Sequence, residues 1–162
     1  MRSAWHGVLL CSVGVGVWAA LTLSGQQGVS AAPSDHVKGE RFDVVASIRG
    51  LPLGVRDKLQ ELFDTQTLDM TEPNAEFPGK DAAASEQRPF RRLVAAGCAI
   101  DHCFVHYERR GSGRTWPVVL FHWTPAGTRV EWSGHAHGRL ATLNDVRNAV
   151  FGAQLKGPVT SW

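Results

Sequence analysis

The chain has 162 residues, of which 43% are hydrophobic, and its 17 basic and 15 acidic side chains give a net charge of +2. The hydrophobic content excludes a chain that is disordered throughout, because enough apolar surface is present to build a core. The near-neutral charge argues against nucleic acid as a partner, since binding to phosphates requires a basic patch or stripe.

Residues 1–31 have the three parts of a secretory signal peptide. Arg2 gives a positive start, residues 7–25 form an apolar run, and Val29-Ser30-Ala31 supplies the small residues behind which a signal peptidase cuts. We therefore predict a periplasmic or secreted protein whose mature part, residues 32–162, is a single domain. The apolar run is also close to the length that spans a bilayer, so a retained leader would anchor the chain in the inner membrane through residues 7–25.

The mature chain begins with a polar segment, residues 32–40, which we interpret as a loose lead-in. Residues 42–48 are too few for periodicity to separate a strand from a helical turn. Residues 55–63 carry apolar side chains at positions i, i+4, i+7 and i+8, with charged side chains between them. This spacing predicts a short amphipathic helix whose apolar face lies in the core.

A long loop is predicted at residues 68–88, which contain Pro73 and Pro78-Gly79 and show no helical or strand period. Loops of this length are commonly functional or mobile. We interpret this one as a solvated excursion, with contact to a partner as the alternative.

From residue 90 onward the pattern is that of antiparallel strands. Turn residues separate four segments that are rich in β-branched and aromatic side chains: residues 90–96, 103–109, 117–123 and 128–137. The last segment, residues 141–155, has helical spacing, with Thr142 or Asn144 available as its cap. The predicted fold class is α+β, an antiparallel four-stranded meander with an N-terminal and a C-terminal helix packed on one face.

Three cysteines are present, and the predicted leader contains one of them, Cys11. The two that remain, Cys98 and Cys103, predict a disulfide, because thiols oxidise outside the cytoplasm. The intervening residues can turn back far enough to bring the two α-carbons within the roughly 7 Å that a bridge allows. Catalytic thiols usually have the spacing Cys-x-x-Cys, so we interpret this bridge as structural and expect it to stiffen one loop.

The loop Cys98-Ala99-Ile100-Asp101-His102-Cys103 resembles the Cys-Lys-Pro-His-Asp-Cys loop of periplasmic inhibitors of vertebrate-type lysozyme. The spacing of the cysteines, the chain size, the leader and the strands that follow are similar. Asp101 and His102 stand in the opposite order, and the Lys and the Pro are absent. The resemblance implies a partner-binding loop that presents Asp101 and His102 to the acidic cleft of a cell-wall hydrolase. A closed hairpin turn without a partner is the alternative.

The tripeptide His135-Ala136-His137 raises a second possibility, a metal site. Side chains alternate along a strand, so these two imidazoles share one face, as the ligands of some metal sites do. A third ligand would have to come from a neighbouring strand. We keep His135 and His137 as candidate ligands of a metal-dependent enzyme.

The predicted strand register weakens this metal hypothesis. Pairing Arg109 with Pro117 places His106 beside Leu120, two strands away from His135. His122 then lies about four residues along the neighbouring strand, roughly 13 Å away, which is too far to share a metal ion with His135. We therefore expect neither a metal nor another cofactor.

Sequence signatures of catalysis such as Gly-x-Ser-x-Gly, a phosphate loop and His-Glu-x-x-His do not occur in the chain. The sequence favours an exported, non-catalytic protein that binds another protein or an envelope component through the loop at 98–103 or the loop at 68–88. The alternatives are an inhibitor of a cell-wall hydrolase and a metal-dependent enzyme. A membrane is a partner only if the leader is retained, and no oligomeric state is predicted.

Overall fold

The computed structural model describes residues 32–77, 90–111 and 113–162, so the predicted leader and residues 78–88 of the predicted loop lie outside the described residues. The described elements follow one another as α1 (Asp35–Gly39), β1 (Asp43–Val44), a 3₁₀ turn (Ile48–Gly50), α2 (Leu53–Phe63), β2 (Arg91–Cys98), β3 (His102–Arg109), β4 (Trp116–Thr124), β5 (Gly127–Ala136) and α3 (Leu143–Phe151). Within the described ranges, no helix has the length and apolar character needed to cross a membrane.

The strands form one antiparallel sheet in the order β1-β2-β3-β4-β5, in which each strand pairs with its neighbour in sequence. The α+β class and the antiparallel meander are therefore confirmed. The sheet has five strands rather than the predicted four, because residues 42–48 contribute the short edge strand β1. The 3₁₀ turn begins only at the last residue of this segment, Ile48, so the strand is the alternative that the structure adopts within it.

The helix α2 covers one face of the sheet. Its buried residues Val55, Leu59 and Phe63 recur at the predicted spacing. They pack with Val119 and Phe121 of β4 and with further buried side chains of β2 and β3. We call this side of the sheet the α2 layer.

The helices α1 and α3 cover the opposite face. Val37 of α1 and Val146 of α3 are fully buried there and pack with Val118 and Leu120 of β4. Thr142 begins α3 with a capping box, in which its side chain accepts a hydrogen bond from the backbone of Asp145. We call this side the α3 layer.

The predicted packing of both helices on one face is therefore corrected, since α2 and α3 lie on opposite faces. The physical reason is visible in β4, where residues 118–121 are all fully buried. A strand that is apolar at every position needs cover on both sides, whereas a strand with one solvated face alternates between apolar and polar residues.

The register of the sheet also differs from the predicted one. His106 lies opposite Val118 rather than Leu120, a shift of two residues. In β5 a bulge places Trp132 opposite Leu120 and Val130 opposite Phe121. Glu131 is the additional residue between them.

The described part of the predicted loop at 68–88 is not a solvated excursion. Met70 is buried in the α2 layer. Thr71 forms a β-bridge with Arg92, and Asp69 pairs with Arg91. This segment therefore packs along the start of β2.

Candidate functional site

The hairpin between β2 and β3 is closed by the predicted disulfide. Cys98 and Cys103 lie directly opposite each other in the sheet, with their α-carbons 4.1 Å apart. The backbone N–H of Ala99 donates to the carbonyl of His102 over 2.7 Å, which leaves a tight turn at Ile100 and Asp101. The disulfide pairing is confirmed, and it fixes the shape of this turn.

The side chain at the tip of the hairpin is Ile100, which is 94% exposed. The turn is also bonded to β4, because the carbonyl of Asp101 accepts a hydrogen bond of 2.8 Å from the backbone N–H of Trp123. An apolar side chain is therefore presented to solvent by a backbone that is tied to both β2 and β4.

His102 does not share this exposure. Its side chain points into the protein and the residue is 1% exposed. The resemblance to lysozyme inhibitors implies a histidine that enters the partner, and this ring is not accessible for that role. Asp101 is half-buried, so Ile100 and Asp101 form the accessible surface of the hairpin.

His102 is the centre of a group that we call the histidine–carboxylate cluster. The cluster is assembled from α1, the hairpin, β4 and β5, and its members are His36, Glu40, Asp101, His102, His122 and Glu131. Arg147 of α3 fixes α1 at this position, donating to the carbonyls of Lys38 and Glu40 over 2.9 and 3.1 Å.

Both ring nitrogens of His102 face carboxylates. Nδ1 is 2.9 Å from an oxygen of Glu40 and 2.9 Å from an oxygen of Asp101. Nε2 is 3.3 Å from an oxygen of Glu131. A carboxylate only accepts hydrogen bonds, and a neutral imidazole has a single N–H. In a neutral ring, one of the two nitrogens therefore faces carboxylate oxygen without a proton to donate, and that nitrogen can bind a cation.

Two further histidines flank this ring. The rings of His36 and His122 each have their centroid 5.3 Å from that of His102. Arg129 contacts His122, since its Nη1 donates to Nδ1 of that ring over 2.7 Å. Nδ1 of His122 is therefore occupied as an acceptor.

Two overlapping sets in this cluster have the composition of metal ligands. One set is His36, Glu40 and His102, and the other is Asp101, His102 and His122. In each set the potential ligand atoms lie within 4.8 Å of one another. Imidazole and carboxylate groups together bind zinc and copper, so this cluster is where the described residues could hold a metal ion.

The histidines singled out as metal candidates lie elsewhere. His135 pairs through its backbone with Lys156, and burial, reinforced by Arg109, lowers the pKa of its ring. His137 is exposed and follows the end of β5. Within the described ranges, neither belongs to a set of three potential ligands.

Sequence reasoning missed His36 and Glu40, which lie in the segment interpreted as a loose lead-in. A signal was present, because the two are four residues apart and a helix places such residues on one face. A five-residue helix gives too short an apolar pattern to be recognised, with Val37 as its one buried residue.

Comparison with protein-family models, with curated proteins and with solved structures found no match for this chain.

Proposed function

We propose that this protein is an exported, non-catalytic binding protein whose partner is another protein of the cell envelope. The observation that carries the proposal is the 94% exposure of Ile100 at the tip of a disulfide-closed turn. A large apolar side chain on such a turn fits an apolar pocket in a partner, because burying it releases free energy on binding.

The rigidity of the hairpin supports this proposal. The disulfide closes the turn, and the hydrogen bond from the N–H of Trp123 joins the turn to β4. The ring of His102 contacts the carboxylate of Glu40 and so ties the hairpin to α1. A loop that is ordered before binding loses less conformational entropy when the partner arrives. The hairpin therefore has the properties of a preformed contact surface.

The proposed location is the periplasm or the extracellular medium. The leader predicted from residues 1–31 and the Cys98–Cys103 pair both support export, since disulfides persist where thiols are oxidised. Retention of residues 7–25 as an anchor would keep the same hairpin on the outer side of the inner membrane.

Inhibition of a cell-wall hydrolase is the second candidate function, favoured by the disulfide spacing of the loop. Since His102 is buried, Ile100 and Asp101 would be the residues that enter the cleft of the enzyme. This candidate makes a separate prediction, namely that the protein slows the lysis of cell walls by lysozyme.

Partner capture tests the proposed function. The protein, expressed with its leader and purified from the envelope fraction, is immobilised and exposed to envelope extract. We expect Ile100→Asp to abolish capture of a specific partner, because a charged side chain cannot enter an apolar pocket without a large desolvation cost. Wild type and variant are also compared in a lysozyme turnover assay.

The matched control is Leu53→Asp. Leu53 is a second large apolar side chain at the surface, 64% exposed, and it lies at the start of α2, outside the hairpin. The proposal requires that capture survives Leu53→Asp and is lost with Ile100→Asp. Equal capture by both variants would remove the hairpin from the function of this protein.

A further inference from the structure

We propose that His36, Glu40 and His102 bind one divalent transition-metal ion of the zinc and copper class, through Nδ1 of His102. The site goes beyond the proposed partner binding and is argued from different observations. Its three potential ligand atoms lie within 4.8 Å of one another. Two of them are already close, since an oxygen of Glu40 is 2.9 Å from Nδ1 of His102.

The charge balance of the cluster favours a bound cation. Glu40, Asp101 and Glu131 bring three carboxylates to one buried imidazole. Their side chains are 23%, 44% and 12% exposed, respectively, so what requires compensation is the mutual repulsion of like charges that meet at one ring. Arg129 approaches Glu131 to 4.0 Å. A metal ion at Nδ1 would compensate the other two carboxylates, which both lie on that side of the ring.

The second nitrogen of His102 is oriented as in known metal sites. With the metal on Nδ1, the N–H at Nε2 donates to Glu131 over 3.3 Å. Glu131 is itself held, because it accepts a hydrogen bond of 3.2 Å from the hydroxyl of Ser34. A carboxylate on the far nitrogen fixes the tautomer of a ligating histidine and increases its basicity.

The alternative set, Asp101, His102 and His122, is less suited to an ion. Arg129 donates to Nδ1 of His122, so in the neutral ring the proton lies on Nε2, the nitrogen that faces Asp101 at 3.9 Å. A protonated nitrogen cannot bind a metal. Asp101 lies on the same side of the ring, with an oxygen 2.9 Å from Nδ1 of His102, but its ligand atoms are not grouped with those of His36 and Glu40.

The donor atoms determine the class of metal. Two imidazoles with one carboxylate are a mixed nitrogen and oxygen set, which zinc, copper and nickel prefer. Calcium and magnesium prefer oxygen ligands alone and larger coordination numbers or bound water. The bound ion would join α1 to the hairpin, two elements that are separated by about 60 residues of sequence.

Calorimetric titration with Zn²⁺ alone tests the site. The protein is expressed with its leader, purified from the envelope fraction and stripped of metal with a chelator. We expect one zinc ion per chain, and no binding of Ca²⁺ or Mg²⁺. His36→Ala should weaken zinc binding by at least about 100-fold, and Glu131→Gln by about 10-fold to 100-fold, since loss of a supporting carboxylate has an effect of that size.

His137→Ala is the matched control, because it removes an exposed histidine from a position outside the cluster. It should leave the affinity for zinc unchanged. His36 is also exposed, so His36→Ala should retain the melting temperature of the metal-free protein, and only the rise in melting temperature on adding zinc should disappear.

Three results would overturn the site. They are the absence of zinc binding to the wild type, full affinity in His36→Ala, and an equal loss in His36→Ala and His137→Ala. Substitution by Co²⁺ adds a spectroscopic readout, because ligation by the cluster gives visible absorption bands that His36→Ala must change.

Discussion

At the scale of single residues, two histidines of β3 show how their surroundings determine their roles. His106 and His102 are both almost fully buried and lie on the same face of the strand. The ring of His106 donates from Nδ1 to the carbonyl of Pro117 and accepts at Nε2 from the N–H of Leu140. It is therefore satisfied as a neutral ring, whereas the ring of His102 is surrounded by carboxylates.

His106 makes the stability of the protein dependent on pH. Burial lowers its pKa from 6.5 to about 4, with Arg139 contributing in the same direction. Between pH 6.5 and about pH 4, the imidazole of His106 is therefore protonated in the unfolded chain but stays neutral in the folded protein. The free energy of unfolding should therefore fall between these values as the pH decreases, by about 3 kcal/mol in total.

Urea unfolding of the wild type and of His106→Gln over a series of pH values measures this contribution. At pH 8 the variant should be less stable by about 1–3 kcal/mol, because one of the two buried hydrogen bonds of the ring is lost. The difference between the two proteins should shrink as the pH falls toward 4.5, while the other histidines cancel from it. A difference that is constant with pH would contradict the assignment.

At the scale of the elements, α3 is the helix whose sequence signals agree best with its structure. Its predicted range, residues 141–155, contains the observed Leu143–Phe151, and Thr142 is the cap. Gly97 of β2 lies beneath it, where an added Cβ would overlap the side chain of Leu143. The close approach of helix and sheet thus depends on a glycine that periodicity did not single out.

Removal of the cap should destabilise α3 directly. Thr142→Ala deletes the hydroxyl that accepts from the N–H of Asp145 over 3.1 Å. We expect the free energy of unfolding to fall by about 1 kcal/mol, as measured by the midpoint of urea unfolding. Thr160→Ala, an exposed threonine of the C-terminal segment, serves as the control and should have no effect.

At the scale of the whole molecule, the central sheet separates and contacts both layers, so we expect them to unfold as one cooperative unit. Leu59 is fully buried in the α2 layer and Val150 is buried in the α3 layer. Both layers pack against β3 and β4, so loss of packing in one should be transmitted to the other through those strands.

Leu59→Ala tests this coupling. The substitution should lower the free energy of unfolding by about 2–5 kcal/mol, since it leaves a cavity in a packed core. Native-state hydrogen exchange should show that the slowest amides of α3 lose as much protection as those of α2. Unchanged protection in α3 would mean that the two layers unfold separately.

The sequence was sufficient for the strands from residue 90 onward, for α2 and α3, and for the disulfide, because each has a local signature. It was not sufficient for the register or for the histidine–carboxylate cluster. The register of β3 and β4 is set by the turn between them, where Arg109 pairs with Thr115 rather than with Pro117. The bulges at Leu93/Ala95 and Leu120/Phe121 alter the registers of the neighbouring strand pairs, and no local sequence pattern predicts them. The cluster depends on the docking of α1 beside β3, a contact between segments that are distant in sequence.

The bulge in β5 makes it possible to remove one residue of the histidine–carboxylate cluster without changing the packing of the strand. Val130 and Trp132 already occupy opposite faces, as adjacent residues of an ordinary strand would. Excision of Glu131 would therefore leave every apolar side chain of β5 on its present side while deleting the carboxylate that touches His102. The strand carries one residue more than its packing requires, and a single-codon deletion offers a way to separate folding from ligand chemistry in this molecule.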